Sequence, residues 1–327
     1  MKECCLVVTY QRPELLYCCL RRLSVQAGDV PIFVFGDRGE TNELLRNTCA
    51  EFRATLILHP YHDYHGNSYA AGEALRFAYN SGFDLTHYVE DDCFVKPDWL
   101  AWTRATHEEW DDIFCTCGWV FNHHMPFSED TYFAPWIYIP QFSIRREKLA
   151  LVMSHLGPLY YRDMWKYLAE NFPENPINKL YPEVLHIEID GLLQRVLSAQ
   201  YKKKMQVAWC ATAKVQHLGF GGYNRGGFVQ YESFFEDCPT FASRVAKVEC
   251  FALDPYWRAS LMDRSHVERE IGHELPPRRF RYRVKLPGGW ESDYISELTR
   301  TALPRRINSA TLPEDAQILS AEAETVL

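Results

Sequence analysis

No stretch of this chain holds the roughly 18 or more consecutive apolar residues that a membrane-spanning helix needs. Positive charge is not in surplus either: 35 Lys and Arg face 43 Asp and Glu, a formal net charge of -8. That balance excludes wholesale electrostatic adhesion to nucleic acid or anionic lipid. Two local basic runs, Lys202-Lys203-Lys204 and Arg278 to Arg283, remain, and such runs usually face water. The eleven cysteines contain no Cys-x-x-Cys motif, are odd in number and lie scattered as Cys4-Cys5, Cys18-Cys19 and singles. This is the pattern of reduced thiols in a cytoplasmic protein, not of a disulfide scaffold. Cys115-x-Cys117 ahead of His123-His124 comes nearest to a zinc spacing, but alternate strand residues share a face, so two core thiols are expected. No Gly-x-Gly-x-x-Gly follows the first strand, and the glycine-rich stretch Gly219 to Gly227 lacks the Lys of a P-loop. Met1-Lys2-Glu3 leads directly into a strand-like run that turns polar at Thr9, so no secretory leader is expected. There is no internal repeat.

What is present is a globular composition, 47% hydrophobic and 14% aromatic over 327 residues, enough for a sizeable core. The first hundred residues alternate between strand and helix patterns. Cys4 to Thr9 is β-rich, and Pro13 and Glu14 suit the first turn of a helix whose Leu15, Leu16, Cys19, Leu20 and Leu23 recur at helical spacing. Pro31 to Phe35 reads as a second strand, 40–52 as a helix, and Ala54 to Leu58 as a third strand. A helix rich in small residues follows over Asn67 to Tyr79. This order predicts an α/β fold with a mainly parallel central sheet flanked by helices, and ligands at the carboxyl ends of its strands.

The next strand ends in Glu90-Asp91-Asp92 and breaks at Pro97. Three acids at the end of a core strand are costly through desolvation and mutual repulsion unless something positive joins them. A divalent cation with hard oxygen ligands, Mg²⁺ or Mn²⁺, is the simplest partner. Further on, Ile189-Asp190-Gly191 opens a helix, where free N–H groups orient a carboxylate. His217 closes a strand just before the glycine-rich stretch.

The segments VVTYQRPELL, FVFGDRGE, HGNSYAAGEALRFAYNSG and YVEDDCFVKPDWL, in this order over about residues 4 to 100, resemble the N-terminal half of the GT-A glycosyltransferases. The likeness is greatest to the large inverting, family-2-like group that uses nucleotide sugars. Gln141 to Leu149 and Ile187 to Arg195 resemble the family's later strand–helix segment and the helix that carries its catalytic base. The resemblance implies a GT-A domain over 1–235, with 1–100 the nucleotide-sugar half and 101–235 the acceptor half. A C-terminal extension over 236–300 and a mobile tail over 301–327 would follow. It implies a metal-dependent transfer of a sugar from a nucleoside-diphosphate sugar, expected to be a UDP-sugar, to an acceptor hydroxyl with inversion. Asp92 and His217 would hold Mn²⁺ or Mg²⁺. Thr9, Tyr10 and Asp37 would line the nucleoside pocket, Arg12 would reach a phosphate, and Glu90 and Asp91 would touch the ribose or the metal. Asp190 would be the general base, with Glu188 its understudy. The Glu188-Ile189-Asp190 spacing is looser than the family's Glu-Asp pair.

The acceptor is not readable. The aromatic segments Trp119 to Tyr138 and Tyr160 to Trp165 fit sugar stacking or simple core packing. A glycan, a small molecule or a base in nucleic acid would each serve. Two other functions stand beside glycosyl transfer. A nucleotidyltransferase of similar fold should carry a Gly, Arg and Lys loop directly after the first strand, which Thr9 to Pro13 is not. A non-catalytic nucleotide-sugar-binding protein would keep the pocket and lose turnover.

Overall fold

The computed structural model describes the chain apart from residues 37–42, 59–65, 121–129, 138–139, 174, 176–188, 201–204, 219–233, 262–263, 276–278, 286–288, 290, 298–305, 308–309, 312–316 and 325–327. Asp37, Glu188, His123-His124, Lys202 to Lys204 and the glycine-rich stretch from Gly219 therefore lie outside the described residues. Two compact units are formed, one of Met1–Gly219 with Asp237–Glu249, the other of Phe220–Glu236 with Cys250–Leu327.

In the first unit, β1 (Glu3–Thr9), α1 (Pro13–Ala27), β2 (Ile32–Gly36), α2 (Glu43–Glu51), β3 (Thr55–Leu58), α3 (Asn67–Asn80) and β4 (Leu85–Glu90) alternate. Pro13 and Glu14 begin α1, and Leu15, Leu16, Cys19, Leu20 and Leu23 are all buried, so the helical stripe is its inward face. Gly28 ends it at φ 59°, a conformation that favours glycine. The small residues of α3, Ala70, Ala71, Ala74 and Ala78, are fully buried and let the helix lie close to its neighbours. Gly72 does the same against Tyr161, whose hydroxyl would stand 2.1 Å from a Cβ at that position.

The chain continues through β5 (Cys93–Val95), α4 (Trp99–Glu109), β6 (Cys115–Cys117), β7 (Thr131–Ala134), β8 (Gln141–Arg145), α5 (Arg146–Met153), α6 (Pro158–Arg162) and α7 (Met164–Asn171). Then come α8 (Ile189–Gln200), β9 (Val207–Cys210) and β10 (Val215–His217). The central sheet has the order β3-β2-β1-β4-β8-β6-β9-β7. The strands β3, β2, β1 and β4 are mutually parallel, β8 is antiparallel to β4 and β6, and β9 is parallel to β6 with β7 antiparallel at the edge. The fold is therefore mixed α/β around a large, mostly parallel sheet flanked by helices. Cys115 and Cys117 are fully buried on β6, and none of the eleven cysteines is in a disulfide. No helix among the described residues is long and apolar enough to cross a membrane.

A buried polar network ties α4 to the sheet. His87 on β4 bonds Ser143 Oγ at 2.9 Å through Nδ1 and faces Glu3 Oε2 at 3.3 Å through Nε2, while Arg104 Nε donates to the same Glu3 oxygen at 2.8 Å. His107 Nε2 donates to the Ser143 carbonyl at 3.1 Å, and burial pushes the His107 imidazole down to about 3.

Beyond residue 236 the described residues form three helices: α9 (Phe241–Leu253), α10 (Pro255–Leu261) and α11 (Arg264–Ile271). The first break is explained locally. Pro255 has no N–H, and Asp254 Oδ1 accepts from the N–H groups of Tyr256 and Trp257 at 2.9 and 3.0 Å, capping a new helix. In the second unit Arg258 pairs with Glu270, both buried, and Phe234 stacks on Trp257. The segment expected as a mobile tail contains β15 (Gln317–Glu324), which pairs antiparallel with β11 (Arg279–Lys285). On its other side β11 pairs with β12 (Glu291–Glu297); a short ladder joins β13 (Arg306–Ile307) to β14 (Ala310–Thr311). In the backbone register Arg279 is opposite Glu297 and Glu324, Arg281 opposite Glu322, and Arg283 opposite Asp293.

Candidate metal site

Glu90 is the last residue of β4, and Asp91-Asp92 form the turn that follows. At this turn the chain leaves the central sheet. Cys93 to Val95 pair instead with β10, in the register Val215–Val95, Gln216–Phe94 and His217–Cys93. Leu218 N–H donates to the Asp92 carbonyl at 2.9 Å, extending the ladder by one bond beyond His217. This crossing brings an imidazole from late in the chain to the acids: His217 Nε2 stands 3.5 Å from Asp92 Oδ2.

Arg12 closes the other side. Gln11 takes a left-handed conformation at φ 51°, a sharp turn between the end of β1 and the start of α1. Arg12 forms a bidentate pair with Asp91: Nη2 donates to Oδ1, and Nε donates to Oδ2 at 3.2 Å. Its Nη1 reaches Asp92 Oδ2 at 3.3 Å. Thr9 Oγ1 adds a 2.6 Å hydrogen bond to Asp91 Oδ2, and the Asp91 N–H donates to the Val8 carbonyl at 3.2 Å. Asp91 is fully buried, and Asp92 and His217 are only 5% and 6% exposed.

The electrostatics of the cluster follow from this burial. Burial is the largest influence on Asp91. With the charges of Asp92 and Glu90 it pushes the carboxyl up to about 7, against the pull of Arg12 and the Thr9 hydroxyl. Burial also penalises Asp92, but His217 and Arg12 outweigh it and hold this carboxyl below the usual carboxylate range. Burial works against the charge of Arg12, and Asp91, Asp92 and Glu90 together more than restore it. The acids outnumber the one guanidinium that meets them, and a divalent cation would offset the surplus.

The donor atoms fit a cation. Asp92 Oδ1 is buried with no hydrogen-bond partner among the described residues, a costly state for a carboxylate oxygen. One ligand atom each from Asp92, Cys93 and His217 lies within 4.8 Å of the others. A carboxylate and an imidazole with open positions suit Mn²⁺ or Mg²⁺, which fill their shells from phosphates and water.

Of the other predicted residues, Asp37 and Glu188 lie outside the described residues. Tyr10 is partly buried just after β1, and Glu90 Oε1 accepts from Tyr88 Oη at 3.4 Å. Asp190 stands in the first turn of α8, partly buried, its Oδ1 accepting from the Gly191 N–H at 2.7 Å. The preceding Ile189 N–H donates to Ser68 Oγ, in the first turn of α3, at 3.1 Å. Because α3 follows β3, its N-terminus lies at the carboxyl edge of the sheet, and α8 therefore opens on the same edge as the acids. Of the aromatic segment, Trp119 is buried, whereas Trp136 is 49% exposed on a stretch held by Gln194, which bonds the Pro135 carbonyl at 2.9 Å and the Ile137 N–H at 3.0 Å. Sequence reasoning sent Arg12 to a phosphate and passed over Cys93. The signal for the first was in the sequence, since a buried acid pair wants an adjacent cation. Cys93 gave no signal until the β5–β10 register was known.

No family model matches the chain, and no curated protein matches it. Similar solved structures exist. S. aureus TarS 1–349 in complex with UDP-GlcNAc is 15% identical over 84% of this chain and 74% of that one, with a TM-score of 0.40. In its match to TarS 1–349 described without that ligand, the chain spans about half of that protein's length, 49%. Glucosyl-3-phosphoglycerate synthase from Mycobacterium tuberculosis, in complex with Mn²⁺, UDP and glucosyl-3-phosphoglycerate, is 11% identical over 45% of this chain and 57% of that one, with a TM-score of 0.33. A cytidylyltransferase from Leptospira borgpetersenii is 10% identical over 62% and 95%, with a TM-score of 0.36. The likeness is one of fold.

Proposed function

We propose that this protein is a metal-dependent glycosyltransferase that moves a sugar from a nucleoside-diphosphate sugar to an acceptor hydroxyl. The observation that carries the reading is the convergence of Asp92, His217 and the Arg12–Asp91 pair on one edge of the sheet, with a buried Asp92 oxygen left without a partner. Asp92 and His217 would hold Mn²⁺ or Mg²⁺, which when bound offsets the charge of the leaving diphosphate as a Lewis acid.

The protein's own groups then divide the remaining work. Arg12 and Thr9 fix Asp91, and through Arg12 also Asp92, so that the liganding carboxylate is positioned before the donor arrives. Thr9 and Tyr10, at the end of β1, would line the nucleoside side of the cleft, with Asp37 receiving a uracil N–H in the UDP-sugar assignment. Asp190, at the helix start on the same edge, takes the proton from the acceptor hydroxyl as it attacks the sugar. An attack opposite the leaving diphosphate inverts the anomeric centre. Glu188 is the second choice for this base.

The test separates an enzyme from a binding protein. A thermal-shift screen of nucleoside diphosphates and their sugars with Mn²⁺ identifies the donor, since a ligand that binds the folded state stabilises it by mass action. Asp190→Asn should then abolish transfer or hydrolysis of that donor by about 100-fold or more while its affinity is kept. Unchanged turnover in that variant removes Asp190 from the mechanism, and a wild-type protein that binds the donor without turning it over is a binding protein.

A further inference from the structure

We infer that Cys93 is a third protein ligand of the cation, so that the site is a mixed oxygen, nitrogen and sulfur centre that prefers Mn²⁺, Co²⁺ or Zn²⁺ to Mg²⁺. The inference rests on the reading of Asp92 and His217 as the cation's seat and extends it to metal selectivity. Three observations carry it. Cys93 lies directly across the β5–β10 ladder from His217. Its sulfur, an Asp92 carboxylate oxygen and a His217 ring nitrogen lie within 4.8 Å of one another. Bonds of about 2.3 Å to sulfur and about 2.0–2.2 Å to nitrogen and oxygen require the three atoms to lie within about 4.5 Å of one another, so an ion that touches all three draws them slightly together. Finally, Asp92 Oδ1 is buried and unpartnered among the described residues, while Oδ2 accepts from Arg12, so a donor atom remains for the ion.

The chemistry differs from that of an all-oxygen site. A thiol binds a metal as the thiolate, so loading the ion breaks the Cys93 S–H bond, forms a metal–sulfur bond and sends one proton to solvent. Mg²⁺ gains little from sulfur, whereas the later first-row divalent ions gain much, so selectivity moves along the usual order toward the softer ions. Arg12 holds Asp91 and the second oxygen of Asp92 away from the ion, which leaves one carboxylate oxygen, one imidazole and one thiolate on the protein side. The remaining positions are then free for two phosphate oxygens or waters.

Cobalt spectroscopy tests this on the full chain, with Cys250, the exposed thiol, replaced by Ser so that it contributes nothing. Co²⁺ is added with and without UDP, and bound metal is measured by equilibrium dialysis beside the absorption spectrum. The inference predicts a near-ultraviolet thiolate-to-cobalt charge-transfer band that is lost in Cys93→Ser and in Cys93→Ala, with Co²⁺ affinity falling at least about tenfold and the preference for Co²⁺ over Mg²⁺ narrowing by the same factor. Stoichiometric cobalt without the band, or a band that survives both substitutions, overturns the role of Cys93 and leaves the Asp92–His217 site standing. No bound cobalt under either condition overturns both. Because the unsubstituted Cys93 protein alone shows or lacks the band, the test holds even if a Cys93 variant fails to fold.

Discussion

His217 Nε2 lies 3.5 Å from Asp92 Oδ2 because β10 pairs with β5, the short strand that begins where the acids end. The two side chains are joined by backbone: Leu218 N–H bonds the Asp92 carbonyl at 2.9 Å, and at the far end Lys96 N–H bonds the Lys214 carbonyl at 2.8 Å. The site is thus built by a ladder of three residue pairs and depends on whatever holds that ladder in place.

Gly118 is one such support. Its carbonyl accepts from the N–H groups of Lys214 and Val215 at 2.7 and 2.8 Å, and its own N–H donates to Gln141 Oε1 at 2.6 Å. A Cβ at this position would meet Val215, Gln141 and Trp99 at 2.8 to 2.9 Å. Gly118→Ala should therefore destabilise the fold by about 1–3 kcal/mol through overpacking. It should also weaken Mn²⁺ binding by displacing β10, although it touches no ligand. Urea denaturation and metal titration of the variant check the two effects, and an unchanged metal affinity would separate β10 from the site.

The Arg12–Asp91 pair gives a second expectation. Asp91 is fully buried, and its charge is met by the guanidinium and the Thr9 hydroxyl. Removing the cation with Arg12→Ala strands the acid and should cost on the order of 3 kcal/mol. Adding Asp91→Asn to that variant should recover part of the loss, because the group left behind is then neutral. A double-mutant cycle by chemical denaturation measures this coupling; strictly additive losses would show that the pair is not energetically joined.

His107 sets a pH dependence away from the site. Its imidazole is buried and donates to the Ser143 carbonyl, and burial pushes it down to about 3, whereas in the unfolded chain it titrates near 6.5. Between those values the unfolded state binds the extra proton, so stability falls as the pH drops below about 6.5 and goes on falling toward 3. One such group contributes up to about 1.4 kcal/mol per pH unit. His107→Gln, which keeps a donor for Ser143, should flatten the stability–pH profile by one proton's worth, and an identical slope in that variant would mean that His107 titrates normally in the folded protein.

The first hundred residues were legible because their signals are local. Pro13 and Glu14 mark a helix start, the Leu and Cys stripe of α1 marks its buried face, and three acids after an apolar strand mark a site. His217 was picked out by the family resemblance, and the fold gave it the distance. What the sequence concealed depends on pairing between distant segments. The place of Cys93 beside the acids needs the β5–β10 register. β15 was hidden because its apolar residues, Ile318, Leu319, Ala321 and Ala323, keep no strict alternation across the bulge in its pairing with β11. The base at Asp190 rests on a helix start, a feature that ordinary capping produces just as well.

The central claim is that Asp92 and His217 grip a divalent cation together with a nucleoside diphosphate. Calorimetric titration of UDP and UDP-sugars into the protein, in Mn²⁺ and again in EDTA, tests it most directly, with Asp92→Asn as the control. The account predicts saturable binding in Mn²⁺ that EDTA abolishes and that Asp92→Asn weakens at least about tenfold. Binding of equal strength in EDTA, or none to any nucleoside diphosphate or its sugars in Mn²⁺, would contradict it.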